Sequence, residues 1–323
     1  MGACHARHVA GAAGATLAWV ADPVETIGQA LATGLGSTWL ADGNTDAALN
    51  QCDAVIVASP DRFHAASLHA ALDRGLPVLA EKPLTEDLED AAELVNREAA
   101  LGRRLIQLGF MRVYDERHRQ VQAALAPLGE VNHIRAVHRN AWNGGRTVAQ
   151  ILVQSIVHDL HTIRWLSRAE IVEVATATVE RDDLVHMVVV TCGLSNGGVA
   201  TIDFDDAAAG YEVSVEVSAV GGNVVAADPL RALVRANGNI GSVIGSDWFA
   251  PFLDTYRVEL EDWLASITAG EARGPSVWDG YAGQAVVAAA AQSAELGRPQ
   301  TVTMMDRPTL YADPVPHPGP AQT

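Results

Sequence analysis

Apolar and polar positions follow two rhythms along this chain, and the change falls near residue 110. Before it, short apolar runs recur at residues 15–21, 53–58, 78–80 and 104–109, bounded by Asp22, Pro60, Pro83 and Gly109. Runs of this length between turn residues read as buried strands. Helical segments stand between them, at about residues 64–74 and 87–101. Strands alternating with helices predict βαβ units on a parallel sheet. Residues 1–10 read as the start of a helix with no strand before it.

The second rhythm has period two. Residues 171–178, 184–192, 198–204 and 211–220 alternate apolar with polar, and Asn196-Gly197-Gly198 and Gly221-Gly222 close them as hairpin connections do. Residues 114–125 and 150–166 read as helices around a strand at 131–140, and two more helices are expected at 249–269 and 276–296. These elements predict an antiparallel sheet with one face covered by helices. The proline-rich stretch 313–323 reads as a disordered tail. The expected fold class is therefore α/β plus α+β, divided into domains at 1–110 and 111–302 with a tail at 303–323.

Composition narrows the function. The chain has 323 residues, 49% apolar and 19% charged, an ordinary globular balance. A net charge of -17 argues against nucleic acid, because phosphate recognition needs a basic face. Three widely separated cysteines suit a reducing compartment and form no disulfide framework or zinc pattern. There is no long apolar run and no signal-peptide layout, so a cytoplasmic protein without a membrane partner is expected.

Three places carry candidate chemistry. Lys82, the only lysine, sits where the 78–80 strand ends, and ligands bind at the carboxyl ends of parallel strands. An ammonium shifts its pKa and hydrogen-bonds a hydroxyl in ways a guanidinium does not. Asp22 ends the 15–21 run about 20 residues after Gly2, the spacing at which a dinucleotide-binding unit sets its ribose-binding carboxylate. An aspartate after a strand is equally an ordinary turn residue. In the dinucleotide reading Gly2 is the last glycine of G-x-G-x-x-G, and the first strand and first two glycines are missing. Finally, Gln154, His158, His161 and Trp165 fall on one face of the 150–166 helix. Gln154 is placed to fix the tautomer of His158, and a histidine titrating near pH 6.5 suits proton abstraction. The same stripe suits simple packing on a sheet. A metal site from His158, Asp159 and His161 is disfavoured, because neighbouring residues diverge and H-E-x-x-H is absent.

Ala80-Glu81-Lys82-Pro83-Leu84-Thr85 resembles the E-K-P motif of the Gfo/Idh/MocA family of nicotinamide-dependent oxidoreductases. Ala58-Ser59-Pro60 followed by His64 resembles that family's strand-end loop, and residues 109–115 resemble the start of its second domain. His138-Arg139-Asn140 and residues 255–263 are similar to segments of its inositol 2-dehydrogenase branch. The likeness runs from Gly2 to about residue 302. It implies a Rossmann-type first domain, here lacking its first strand, and hydride transfer between NAD and a secondary hydroxyl of a cyclitol or sugar.

Carried over residue by residue, the resemblance makes Lys82, His158 and Gln154 catalytic, with His158 the base. It gives the cofactor to Gly2, Asp22, Ser59, Pro60, His64 and Glu81, and the substrate hydroxyls to Arg112, Asn140 and His161. Asp22 with no arginine directly after it favours NAD over NADP. A homodimer or homotetramer is implied, and no metal. The family pattern has an aspartate where Gln154 stands, which weakens the expected base and leaves room for another sugar or sugar acid. The missing strand and glycines predict weak cofactor binding and poor stability if the natural chain begins at Met1. They also leave open a catalytically impaired binding or regulatory protein of the same fold.

Overall fold

The computed structural model describes residues 1–141, 145–226, 233–236, 239–242 and 247–312. Two compact units divide the chain. The first comprises Met1–Met111, Thr255–Ala282 and the stretch beginning at Met305; the second comprises Arg112–Asp254 and Gly283–Met304.

In the first unit α1 (Gly2–Gly11), β1 (Trp19–Ala21), α2 (Glu25–Leu35), β2 (Thr38–Leu40) and α3 (Asp46–Leu49) come first. They are followed by β3 (Val55–Val57), α4 (His64–Leu72), β4 (Val78–Ala80), α5 (Leu88–Leu101) and β5 (Ile106–Leu108). All strand pairs are parallel, as the alternation of strand and helix predicts: β1 with β2, and β3 with β4 with β5. Helices α3 and α5 begin on side-chain caps. Asp87 accepts from the amides of Glu89 and Asp90 to open α5, and Thr45 accepts from Ala48 to open α3. Gly36 and Gly102 end α2 and α5 in the left-handed conformation. Helix α9 (Leu253–Thr268) brings Leu260 and Trp263 onto Val9 of α1 and Leu79 of β4.

The second unit contains α6 (Glu116–Leu125), β6 (Val131–Ala141), α7 (Val148–Ile151), a π-helical turn (Leu152–Ile156) and α8 (Val157–Ser167). The long strands β7 (Ile171–Arg181), β8 (Leu184–Leu194), β9 (Val199–Ala208) and β10 (Glu212–Ala219) follow, with β11 (Gly222–Ala226) after them. A short hairpin joins β12 (Leu233–Ala236) to β13 (Asn239–Ser242), α10 spans Val277–Leu296, and β14 is Gln300–Thr301. Seven strands form one sheet in the order β11-β10-β6-β9-β8-β7-β14. The expected antiparallel sheet is in fact mixed, because β6 pairs parallel with β9 and antiparallel with β10. The chain leaves β6 through α7 and α8, runs the β7–β8–β9 meander and docks its last strand beside the first, a crossover that forces one parallel pair.

One face of this sheet is apolar along most of its length, with Ile134, Ala136, Ala200, Ile202, Val213, Val215 and Val217 buried. The same face turns polar towards the end of β6 and β9, where His138, Asn140 and Asp206 are also buried. The opposite face is charged, with Arg135 donating to Asp203 at 2.9 Å. The expected single helix over 150–166 is broken into α7, the π turn and α8. The expected tail at 313–323 lies outside the described residues.

Candidate active site

In the first unit the residues expected to meet a cofactor follow strands or open a helix. Asp22 comes directly after β1; its Oδ1 accepts from the Val24 amide at 2.8 Å, and its carbonyl accepts from Trp39 Nε1 at 3.0 Å. The indole reaches it because position 28 has no side chain: a Cβ on Gly28 would fall 2.4 Å from Trp39 Cδ1. Helix α1 starts without a side-chain cap, and a Cβ on Gly2 would lie 3.8 Å from that of Ala58, beyond the end of β3. An uncapped helix start beside a strand end leaves backbone N–H groups and a positive dipole for an anion.

Ser59 and Pro60 follow β3, and Glu81 and Lys82 follow β4. His64 joins these two loops, its Nδ1 lying 2.7 Å from the Pro83 carbonyl oxygen and its Nε2 2.8 Å from that of Ser59. The ring is 1% exposed, so both its polar atoms serve the protein's own backbone, and it supports the loops that flank it. Glu81 likewise faces inward: His5 Nε2 donates to Glu81 Oε1 at 2.8 Å, and both residues are buried. Gly109 donates to the Ala80 carbonyl at 2.7 Å and leaves room for the Glu81 carboxylate, whose Oε2 would lie 3.4 Å from a Cβ there. Glu259 of α9 is wholly buried and neither of its carboxyl oxygens has a hydrogen-bond partner. Burial, then the charges of Glu81 and Asp262, raise its pKa well above the usual carboxylate range.

In the second unit the site residues gather on α8 and the polar end of the sheet. Asp159 is 1% exposed and accepts from Arg112 Nη1, while His138 Nδ1 lies 2.9 Å from its Oδ2. Burial would raise the Asp159 pKa, but Arg112 and His138 outweigh it and hold the carboxyl down at about 2. Desolvation keeps His138 below the usual imidazole range despite Asp159. Arg112 Nη2 is 3.2 Å from His138 Nδ1, so the guanidinium expected to hold a substrate hydroxyl is committed to the protein interior. Asn140 shares the inward face of β6 with His138. Gln154 is exposed in the π turn, His158 is half-buried in the first turn of α8, and His161 is buried. Among the described residues no three His, Cys, Asp or Glu side chains gather as a metal site.

Arg146 forms a second anchor, its side chain partly withdrawn from solvent. Its Nε donates to Asp206 Oδ2 at 3.0 Å, its Nη2 to Asp206 Oδ1, and its Nη1 to Ser155 Oγ at 3.0 Å. His5, His138, Glu259 and Arg146 were not among the residues expected from sequence. His5, His138 and Arg146 are each placed by a partner far away in the chain, such as Glu81, 76 positions from His5, whereas Glu259 stands out by its burial without a partner.

Comparison with known proteins gives consistent results. The profile described as oxidoreductase family, NAD-binding Rossmann fold, of the Gfo/Idh/MocA group matches residues 1–110, and its companion C-terminal alpha/beta domain matches residues 130–304. Inositol 2-dehydrogenase 1 of Saccharopolyspora erythraea is 35% identical over 326 residues, covering 96% of both chains. Inositol 2-dehydrogenase of Streptomyces avermitilis is 32% identical, covering 96% of this chain and 94% of its own. Among solved structures, myo-inositol dehydrogenase from Lactobacillus casei in complex with NAD(H) and myo-inositol superposes with a TM-score of 0.89 at 25% identity, covering 96% of each chain. Among the described residues no helix is long and apolar enough to cross a membrane.

Proposed function

We propose, from the premise that this chain belongs to the Gfo/Idh/MocA family of NAD-binding oxidoreductases, that it oxidises a secondary hydroxyl of an inositol to the ketone. The observation that carries the reading is the match, over 96% of both chains, to an inositol 2-dehydrogenase at 35% identity. The residues of the first unit fit an NAD: an acid after β1, an uncapped helix start against the end of β3, and loops after β3 and β4 fastened together by His64. Asp22 would hold the adenosine ribose, the start of α1 at Gly2 the pyrophosphate, and Ser59 and Pro60 the nicotinamide side. His64 and Glu81 act one step back, by fixing the backbone that carries these groups.

When bound, NAD supplies the hydride acceptor. The chain's own residues handle the proton and the charge. As the carbinol C–H bond breaks with its electron pair, the hydroxyl proton passes to a ring nitrogen of His158 and the C=O bond forms. Lys82 donates to the same oxygen and stabilises the negative charge that develops on it. Gln154 orients the His158 ring, and Asn140 and His161 bind further hydroxyls. Arg112 contributes through Asp159, whose carboxylate it shares with His138 of β6, the contact that ties α8 to the sheet.

Gln154 supports a second reading, a dehydrogenase of another sugar or sugar acid, since an amide does not stabilise imidazolium as a carboxylate does. A panel of myo-inositol, scyllo-inositol and aldoses, followed by NADH absorbance, separates the two by whichever substrate has the highest kcat/KM. We also assign the chain to the cytoplasm and to a homodimer or homotetramer; light scattering at a single-chain mass would refute the assembly.

A further inference from the structure

The helix expected to run unbroken through residues 150–166 widens into a π turn over Leu152–Ile156, and Gln154 lies in the middle of it. A π turn carries one more residue per hydrogen-bonded ring than an α turn, and such bulges are frequent at functional sites. Each residue in it advances less around the axis than in an α-helix. Four residues counted across it therefore return closer to a full circle, which brings Gln154 nearer to the line of His158 than regular helix would.

Something has to hold this less favourable turn, and Arg146 is built to do so. The two N–H groups on one edge of its guanidinium grip the Asp206 carboxylate on β9, at the polar end of the sheet. The remaining nitrogen donates to Ser155 Oγ, the residue after Gln154, at 3.0 Å. Ser155 is 6% exposed and Asp206 1% exposed, so both partners of the half-buried guanidinium are withdrawn from water. The guanidinium also lies 5.6 Å from the Phe204 ring centroid. Thr147, next in the chain, opens α7 with a capping box, accepting from the Gln150 amide at 3.2 Å while Gln150 Oε1 accepts from its own amide at 2.9 Å. The segment entering the π turn is thus pinned to β9 on one side and capped on the other.

We propose that Arg146 is a positioning residue for the His158 base and the Gln154 amide that orients it. Through Asp206 and Ser155 it sets the π turn, and the π turn sets Gln154 beneath His158. This rests on the proposed role of His158 in the dehydrogenase reaction. Lysine cannot replace the fork, because an ammonium does not grip a carboxylate with two parallel bonds while donating a third to a hydroxyl.

The test is chosen to read the geometry separately from the activity. Nitrogen-15 spectra of the histidine rings, assigned with His158→Asn, report the tautomer and environment of His158. In Arg146→Met the His158 signals move while those of His118 stay in place, and Ser155→Ala moves them in the same direction by less. Unchanged His158 signals in a folded Arg146→Met protein overturn the proposal, whether or not the enzyme turns over inositol. In the active enzyme, Arg146→Met lowers kcat about a hundredfold, the loss expected when catalytic groups shift by about 1 Å. NAD affinity stays as in the wild type, a primary deuterium isotope effect on kcat grows, and Arg146→Lys restores only part of the rate. A variant that loses thermal stability yet keeps kcat per folded molecule shows that Arg146 is structural only. A wild type inactive on every cyclitol and sugar, with His158 signals still dependent on Arg146, contradicts the proposed function and leaves the positioning intact.

Discussion

Replacing Glu259 with glutamine changes how stability depends on pH more than it changes stability itself. The carboxyl is fully buried, neither oxygen has a partner, and burial followed by the nearby Glu81 and Asp262 charges raises its pKa well above the usual range. The folded state therefore binds a proton that the unfolded state has already released. Stability is fully present below the unfolded carboxylate pKa and is lost as pH rises towards the folded value. The slope across that window is about 1.4 kcal/mol per pH unit for one proton. Glutamine presents a neutral amide of the same shape, so at acid pH the two proteins have similar midpoints. As pH rises the wild type falls away from the variant. In a cooperative unit of about 150–250 residues, 1 kcal/mol is about 2–4 °C of Tm, so the gap widens by about 3–6 °C per pH unit. Calorimetric scans of both proteins from acid to mildly alkaline pH measure it. Parallel curves, or a wild type that gains on the variant as pH rises, refute the assignment of a buried neutral acid at Glu259.

Three further outcomes follow from the site. Lys82→Arg keeps the charge but loses the compact donor, and kcat falls about 10²–10⁴-fold with NAD affinity retained, as steady-state kinetics and calorimetry show. Gln154→Asp puts a carboxylate where the amide orients His158, and kcat rises by up to about tenfold, equivalent to about 1.4 kcal/mol; a fall in rate indicates that the amide serves the substrate instead. Gly28→Ala drives a methyl into the Trp39 indole that supports Asp22, so it destabilises the protein by about 1–3 kcal/mol despite the better helix former, and weakens NAD several-fold in a binding titration.

How much was legible in the sequence varied with how local the cause was. Strands β3, β4 and β5 announced themselves as apolar runs closed by Pro60, Pro83 and Gly109, and the E-K-P loop stands at the end of β4. Strand β2 did not, because Thr38–Leu40 stands between Gly36-Ser37 and Asp42-Gly43 with no longer apolar run to mark it. The parallel pairing of β6 with β9 was hidden for another reason: alternation is the same in parallel and antiparallel strands, and only the route of the chain decides between them. The π turn was hidden too, since Leu152–Ile156 has nothing in its composition that distinguishes it from α-helix.

Side-chain roles divided in the same way. Asp22 stands directly after β1, where its spacing to Gly2 puts a ribose-binding carboxylate. The ion pair of Arg112 with Asp159 is not legible in the sequence, because the two stand 47 positions apart. The motif puts Glu81 at the end of β4, and only the fold shows that His5 donates to its carboxylate. A motif shows which residues matter, and the distant partner decides what each one does.

The most direct test of the central claim is NADH formation when myo-inositol is added to this chain with NAD, followed by absorbance beside calorimetric binding of NAD. The account predicts saturable NADH production in proportion to protein, matched mole for mole by ketone. Tight NAD binding with no NADH formed from any inositol or sugar would contradict it.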